Sequence, residues 1–226
     1  MCGRYTLTTP PGDLAEYFAL DRVPVQLTAR RNIAPTQQVP VIRALPDGTR
    51  HLDLVRWGLI PRWAKDAAIG SRLINARCES VAEKPAFRAA LRHRRCLIPA
   101  DGFYEWRTVG GHKQPYWIGF EGRTPFAFAG LWEHWEDRTR GHALETCTIL
   151  TTDANELLLP LHDRMPVILM PKDYGRWLDP AIDNPQHVAD MLSPHGGEDM
   201  IAYPVSRAVN NPNNDTPDLL EPVREM

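Results

Sequence analysis

Hydrophobic and polar positions along this chain alternate in short runs whose period changes often. Leu14, Tyr17 and Phe18 recur at helical spacing, which predicts a short helix over 13–20 with Asp13 at its cap. Asn32-Ile33-Ala34-Pro35 reads as a turn into a strand at Val39–Ala44. That strand and His51–Trp57 alternate at period two on either side of Pro46-Asp47-Gly48, the pattern of a hairpin. Residues 58–63 read as an irregular loop and Arg72–Ala76 as a short extended segment. Pro85 stands where a first helical turn begins, and Phe87, Ala90 and Leu91 continue one apolar face as far as Arg95. Strand formers then dominate Cys96–Pro99, Gly102–Trp106, Tyr116–Phe120, Phe126–Trp132 and Thr146–Thr151, with turns at Gly110-Gly111 and Gly122. Ala154–Leu159 reads as one or two helical turns, Val167–Met170 as a strand, Lys172–Leu178 and Pro185–Leu192 as short helices, and Ile201–Val205 as a last strand. A polar tail begins at about residue 209. Helices and strands mix without a βαβ rhythm, repeat or flexible linker. The expected fold is α+β: a single domain over 1–226 with a curved or barrel-like, mostly antiparallel sheet and short peripheral helices.

Composition sharpens this picture at a few points. The 21 prolines among 226 residues favour short elements joined by shaped loops. The apolar runs are too short to span a bilayer and no signal peptide pattern is present, so a cytoplasmic protein with no membrane partner is expected. Four cysteines without a Cys-x-x-Cys pair argue for a reducing compartment and against a zinc ribbon. His93 and Cys96 have a ligand-like spacing but no second pair, so no metal is expected. Charge is uneven: residues 1–114 hold 18 Lys and Arg against 10 Asp and Glu, and residues 115–226 hold 8 against 18. Such a chain presents an anion-facing surface, or its two halves interleave in space and cancel.

The first five residues, Met1-Cys2-Gly3-Arg4-Tyr5, carry the most chemistry. Removal of Met1 would leave Cys2 with an α-amine and a thiol on adjacent carbons. These groups ordinarily titrate near roughly 8 and 8.5, so both are partly deprotonated at neutral pH. Together they can close a thiazolidine on an aldehyde; alternatively, the thiol is an acyl-transfer nucleophile with its own amine as base. Three further polar residues are candidates. Asn75, at the end of an extended run, either reaches into a cleft or bonds its own turn. Glu105 lies between Tyr104 and Trp106; pointing inward it is a desolvated proton shuttle, pointing outward a surface residue. His162, just before a strand, is either a proton donor and acceptor or a loop residue bonded in place. Arginines interleaved with Trp57 and Trp63 suit a single-stranded nucleic-acid groove, although most of Arg88–Arg95 fits the solvated face of a helix.

Read together in chain order, Met-Cys-Gly-Arg-Tyr, Asn-Ile-Ala-Pro, Arg-Trp-Gly-Leu-Ile-Pro, Asn-Ala-Arg-Cys-Glu-Ser, Gly-Phe-Tyr-Glu-Trp, Ala-Gly-Leu-Trp, His-Asp-Arg-Met-Pro and Val-Asn-Asn-Pro resemble the SOS-response-associated peptidase family, whose members cap abasic sites in single-stranded DNA. The resemblance covers residues 2–222. It implies self-removal of Met1, binding of single-stranded DNA, and a thiazolidine between Cys2 and the ring-opened sugar, with weak lyase activity on the same lesion. It assigns Cys2 the amine and thiol, Asn75 a hydrogen bond near Cys2 and the sugar, Glu105 proton shuttling, and His162 protonation of the departing ring oxygen. Arg4 and Arg77 would hold flanking phosphates, with Trp63 near the DNA. No metal or organic cofactor is implied; the protein would act as a monomer, nucleoid-associated when bound. Ser80 stands where relatives often carry Thr, Cys78 adds a thiol without an α-amine, and Asn213 occupies a position that is often basic. Two other readings compete: an N-terminal-nucleophile cysteine peptidase acting on other polypeptides, and a single-strand binder that forms no covalent product.

Overall fold

The computed structural model describes residues 2–23, 27–137 and 141–224. Five strands close into a barrel: β3 (Gln38–Ala44), β4 (Arg50–Trp57), β6 (Arg95–Ala100), β9 (Phe126–Asp137) and β10 (His142–Asp153). Around the ring, β10 pairs with β4, β4 with β3, β3 with β6, β6 with β9, and β9 returns to β10. All these pairings are antiparallel except β4 with β10. One end of β10 is extended by parallel β5 (Asn75–Arg77) and antiparallel β11 (Arg164–Pro166), and β12 (Ile168–Leu169) pairs with β9.

A second sheet packs on the barrel in the order β13 (Met200–Pro204), β8 (His112–Phe120), β7 (Gly102–Val109), β1 (Tyr5–Leu7), β2 (Arg30–Ile33). Its two faces bury different things. Tyr5, Leu7, Phe103, Ile118 and Phe120 join the main core with the barrel's Val41, Leu97, Phe128 and Ile149. Tyr104 and Trp117 point the other way and are covered by Val205, Val209, Leu219 and Leu220 from the C-terminal segment. This is the two-residue alternation of a strand with both faces buried. Trp117 lies so close over β7 that a Cβ at Gly102 would meet its indole at 2.3 Å.

The expected α+β, barrel-like architecture is the one observed, with corrections in detail. The first helix, α1, runs Pro11–Phe18, so Asp13 sits inside its first turn and the cap is Pro10. Proline is well placed there, because the first N–H groups of a helix have no partner in the helix. Only Arg88–His93 of the expected 85–95 helix is α-helical (α2), and Pro171–Leu178 forms α3. Pro185–Leu192 is a 3₁₀ helix, and in place of the helical turns expected at 154–159 there is a run of non-helical turns over 156–161. The extended segment predicted at Arg72–Ala76 lies slightly later, as β5, after a 3₁₀ helix at Ala67–Arg72. Short β1 and β2 were not predicted; they offer three or four residues of pattern and are set by tertiary pairing. The tail is not merely polar, since Val209 is buried and Arg207–Asn210 is 3₁₀.

The N-terminal strand is pinned by more than its ladder. Tyr5 pairs with both Ile33 and Phe103, and its ring meets Trp57 and Phe128 edge-on at 5.5 and 5.7 Å between centroids. Just beyond β1, buried Asp101 accepts hydrogen bonds from Thr6 Oγ1 at 2.6 Å, Thr8 Oγ1 at 2.8 Å, the Thr9 N–H at 3.0 Å, and the Thr8 N–H. Asp101→Ala strands these donors in a buried setting, which should cost roughly 1–3 kcal/mol. A thermal melt should show a lower Tm, by about 2–4 °C per kcal/mol for a chain of this size. A wild-type Tm would mean that the carboxylate does not hold the strand.

Candidate active site

Three residues before Tyr5, Cys2 is fully buried at the edge of the main core. Its Sγ donates to the Arg4 carbonyl at 3.9 Å. Met1, whose removal the sequence predicts, lies outside the described residues. Burial pushes the Cys2 thiol far above its ordinary range, and the Glu105 carboxylate adds to the effect. The thiol is therefore held protonated, with Glu105 as its electrostatic neighbour.

Strand alternation settles the orientation of Glu105. It shares a face with Phe103, toward the main core, and is only 3% exposed, while Tyr104 faces the second cluster. Burial raises its pKa above the usual carboxylate value; the exposed Lys113 opposes that shift. A carboxyl group so placed holds its proton to higher pH than an exposed one, the property that suits a general acid and base.

Asn75 comes from the opposite side, on β5. Its Nδ2 donates to the Cys2 carbonyl oxygen at 2.9 Å. Its Oδ1 is buried and accepts no hydrogen bond from the described residues. Asn75 therefore ties β5 to the segment carrying Cys2 rather than bonding its own turn, with one buried acceptor left over among the described residues.

His162 stands at the end of the turns following β10 and is about one-third exposed. Its Nδ1 meets two competing groups: the Arg164 N–H at 2.9 Å and Asp163 Oδ1 at 2.8 Å. The first needs a lone pair on Nδ1 and the second a proton. Burial lowers the His162 pKa while Asp163 pulls it up. Asp163 is mostly solvated, so the neutral ring with its proton on Nε2 is the form that fits. Lys113 lowers the pKa of both His162 and Glu105, which places the two in one electrostatic neighbourhood.

An ion pair between a buried arginine and an exposed glutamate fastens these parts together. Arg164 binds Glu79 in two parallel contacts at 2.6 and 2.9 Å, and also Asp153 and the Thr151 carbonyl, each at 2.7 Å. Glu79 follows β5, which carries Asn75, and Arg164 begins β11, next to His162. The guanidinium holds the Glu79 carboxyl down at about 2. Neither Glu79 nor Arg164 stood out in the sequence, although their opposite charges occur in two of the motifs.

The cation and aromatic candidates divide. Arg77 is exposed at the end of β5. Arg4 is half-buried and held by neutral acceptors. Trp63 is 60% exposed, with its Nε1 3.5 Å from the Pro85 carbonyl. It lines a cavity of about 420 Å³ with Arg62, Lys65 and Trp135, and none of Cys2, Asn75, Glu105 and His162 lines that cavity. A separate cavity of about 410 Å³ beside Tyr17, Phe120 and Met200 also excludes all four. Among the described residues, no group of three or more His, Cys, Asp or Glu could hold a metal ion.

The fold and site define a barrel protein whose N-terminal strand delivers a buried cysteine to a carboxyl group and an amide. The SOS response associated peptidase (SRAP) family model matches residues 1–212, and the chain belongs to that family. Among similar proteins, abasic site processing protein YoqW of Bacillus subtilis is 45% identical over 98% of this chain and 99% of its own length. Abasic site processing protein YedK of Escherichia coli is 31% identical over 99% of this chain and all of its own. A crystal structure of a Bacteroides thetaiotaomicron protein superposes with a TM-score of 0.89 at 27% identity, covering 99% of this chain and all of that one.

The raised Glu105 pKa has a consequence for stability. The folded protein binds this proton more tightly than the unfolded chain, so stability falls as pH rises from about 4.5 through the folded-state value. At pH 7 the charged form is therefore a cost. Glu105→Gln should raise Tm at pH 7, by up to about 4 °C if ~1 kcal/mol is regained. The gain should shrink toward pH 4, where both states are protonated. Melting curves of the two proteins across this range check it; a gain that persists undiminished at pH 4 would rule out proton linkage at Glu105 as the cause.

Proposed function

We propose that this protein binds single-stranded DNA and joins itself covalently to abasic sites through Cys2, after hydrolysis of the Met1–Cys2 amide frees the α-amine. The observation that carries the reading is the convergence of Asn75 and Glu105 on a buried Cys2, in a family whose relatives are named for abasic site processing.

An abasic deoxyribose is in part an open aldehyde. The Cys2 amine adds to it and water leaves, giving a Schiff base; Glu105, with its raised pKa, donates the proton that expels the water. The thiol then adds across the C=N bond, and its proton passes to nitrogen, closing the thiazolidine. The net change is the loss of one water. Closing the ring removes the imine that would otherwise hydrolyse or permit β-elimination of the 3′ phosphate, so strand cleavage stays a weak side reaction. His162, with its proton on Nε2, donates to the ring oxygen as the sugar opens. The open acceptor on Asn75 takes a hydrogen bond from the freed amine or the sugar hydroxyl.

Arg4 and Arg77 supply cations for flanking phosphates. Arg4 suits this because no carboxylate is among its partners in the described residues. Trp63, exposed beside Arg62 and Lys65, offers a stacking face for an unpaired base.

Mixing the protein with single-stranded DNA carrying one abasic site and measuring intact mass tests this. The expected product lacks Met1 and has the mass of protein plus DNA minus one water. Cys2→Ala should give no adduct yet bind intact DNA, and Glu105→Gln should slow adduct formation by about 10²-fold or more. A full yield from Cys2→Ala removes Cys2 from the chemistry. Turnover of an added peptide without any adduct would instead favour a peptidase acting in trans.

A further inference from the structure

The polar tail, apart from the chemistry so far, is gripped by a buried side chain near the N-terminus. Asn32, on β2, is wholly buried. Its Nδ2 donates to three tail carbonyls, those of Val209 at 3.1 Å, Asn211 at 3.0 Å and Asn214 at 2.9 Å. Its Oδ1 accepts from Arg4 Nη1 at 2.8 Å. The same guanidinium donates to the carbonyls of Val209 at 2.8 Å and Asn210 at 3.3 Å. The Asn210 side chain accepts from Trp106 Nε1 at 2.7 Å, on the residue after Glu105. Asn214 Nδ2 closes the loop on the Ala208 carbonyl at 2.8 Å.

This arrangement has a chemical logic that only an amide satisfies. The NH₂ group faces three acceptors and the oxygen faces a cation. A carboxylate of the same shape would set lone pairs against three carbonyls and would neutralise Arg4. As it stands, the guanidinium is held in place entirely by neutral oxygens and keeps its full charge for an outside anion. The loop thereby joins three segments: the entry to β1 through Arg4, β2 through Asn32, and β7 through Trp106.

We propose that Asn32, together with the Val209–Asn214 loop it holds, is a positioning element of the active site. It aims the uncompensated Arg4 cation at a DNA phosphate and braces the strand carrying Glu105 against the segment that carries Cys2 and leads into β1. This assignment rests on the DNA reaction proposed above, but its structural half can be tested without DNA.

The test compares wild type, Asn32→Asp, Trp106→Phe and, as a charge-matched surface control, Gln186→Glu. Hydrogen–deuterium exchange is followed over residues 2–8. Noncovalent affinity for intact single-stranded DNA is measured against salt, and crosslinking rate at saturating abasic DNA. Asn32→Asp should speed exchange over 2–8 and slow crosslinking at least tenfold. It should also flatten the slope of log K against log salt by about 0.7, the share of a single neutralised phosphate on a single strand. Trp106→Phe should slow crosslinking less and leave the slope alone, since Arg4 keeps its charge. Gln186→Glu should match wild type in all three.

Unchanged exchange and rate in Asn32→Asp would overturn the proposal. Faster exchange with wild-type slope and rate would also overturn it, reducing Asn32 to a stabilising residue. If Asn32→Asp does not fold, Trp106→Phe decides: a slower rate supports the brace and a wild-type rate refutes it. A wild type that forms no adduct defeats the proposed reaction instead, and the exchange data then decide the positioning alone.

Discussion

The structure depends on the burial of its N-terminal strand. Chain ends ordinarily fray, because few contacts oppose their entropy. Here β1 lies between β2 and β7 rather than at an edge, and Tyr5 is wedged against Trp57 and Phe128 in the main core. Asp101 fastens the exit of the strand through Thr6, Thr8 and Thr9. Cys2, a few residues upstream, inherits this rigidity. A residue expected to be mobile is instead held against the amide of Asn75, and two further attachments, Arg164 with Glu79 and Asn32 with the tail, brace the neighbouring groups.

The electrostatics follow from that placement. The thiol and the Glu105 carboxyl sit where desolvation disfavours charge on either, so each is biased toward its neutral form. Nearby cations are treated in two ways. Arg164 is saturated by Glu79 and Asp153, whereas Arg4 rests on neutral oxygens. The uneven charge of the two halves of the chain is offset only in part by pairing across them. Arg30 pairs with Asp215, Arg43 with Glu145 as well as nearby Asp53, Arg94 with Glu133, and Arg164 with Glu79, so the halves interleave. Cations such as Arg4 that escape pairing matter more than the total.

Much of this was legible in the sequence, and what was not has physical reasons. The β3–β4 hairpin alternates, and strands β6 to β10 are runs of strand formers set off by clear turn residues, so their pattern is decisive. Strands β1, β2 and β11 have three or four residues each, too few to show a period, and β1 and β2 pair with segments more than twenty residues away; no local signal specifies such pairing. The orientation of Glu105 stayed open because both faces of β7 are buried, so alternation along the strand has no polar side to mark. Asn32 looked like a turn residue because its partners are main-chain carbonyls more than 170 residues away, and a carbonyl leaves no mark in a sequence. The Pro185–Leu192 segment kept its helical spacing but formed a 3₁₀ helix, a distinction spacing alone does not draw.

The loop that holds Arg4 bears on the order of events during synthesis. Cys2 and Arg4 leave the ribosome long before Arg4's carbonyl partners, Val209 and Asn210, which lie more than 200 residues later. Strand β1 likewise waits for β7, about a hundred residues later. Such distant contacts form late, after the closure of long loops. The cysteine-bearing segment is therefore fully seated only once residues 209 and 210 have emerged, and a chain cut before them lacks part of the seat for β1.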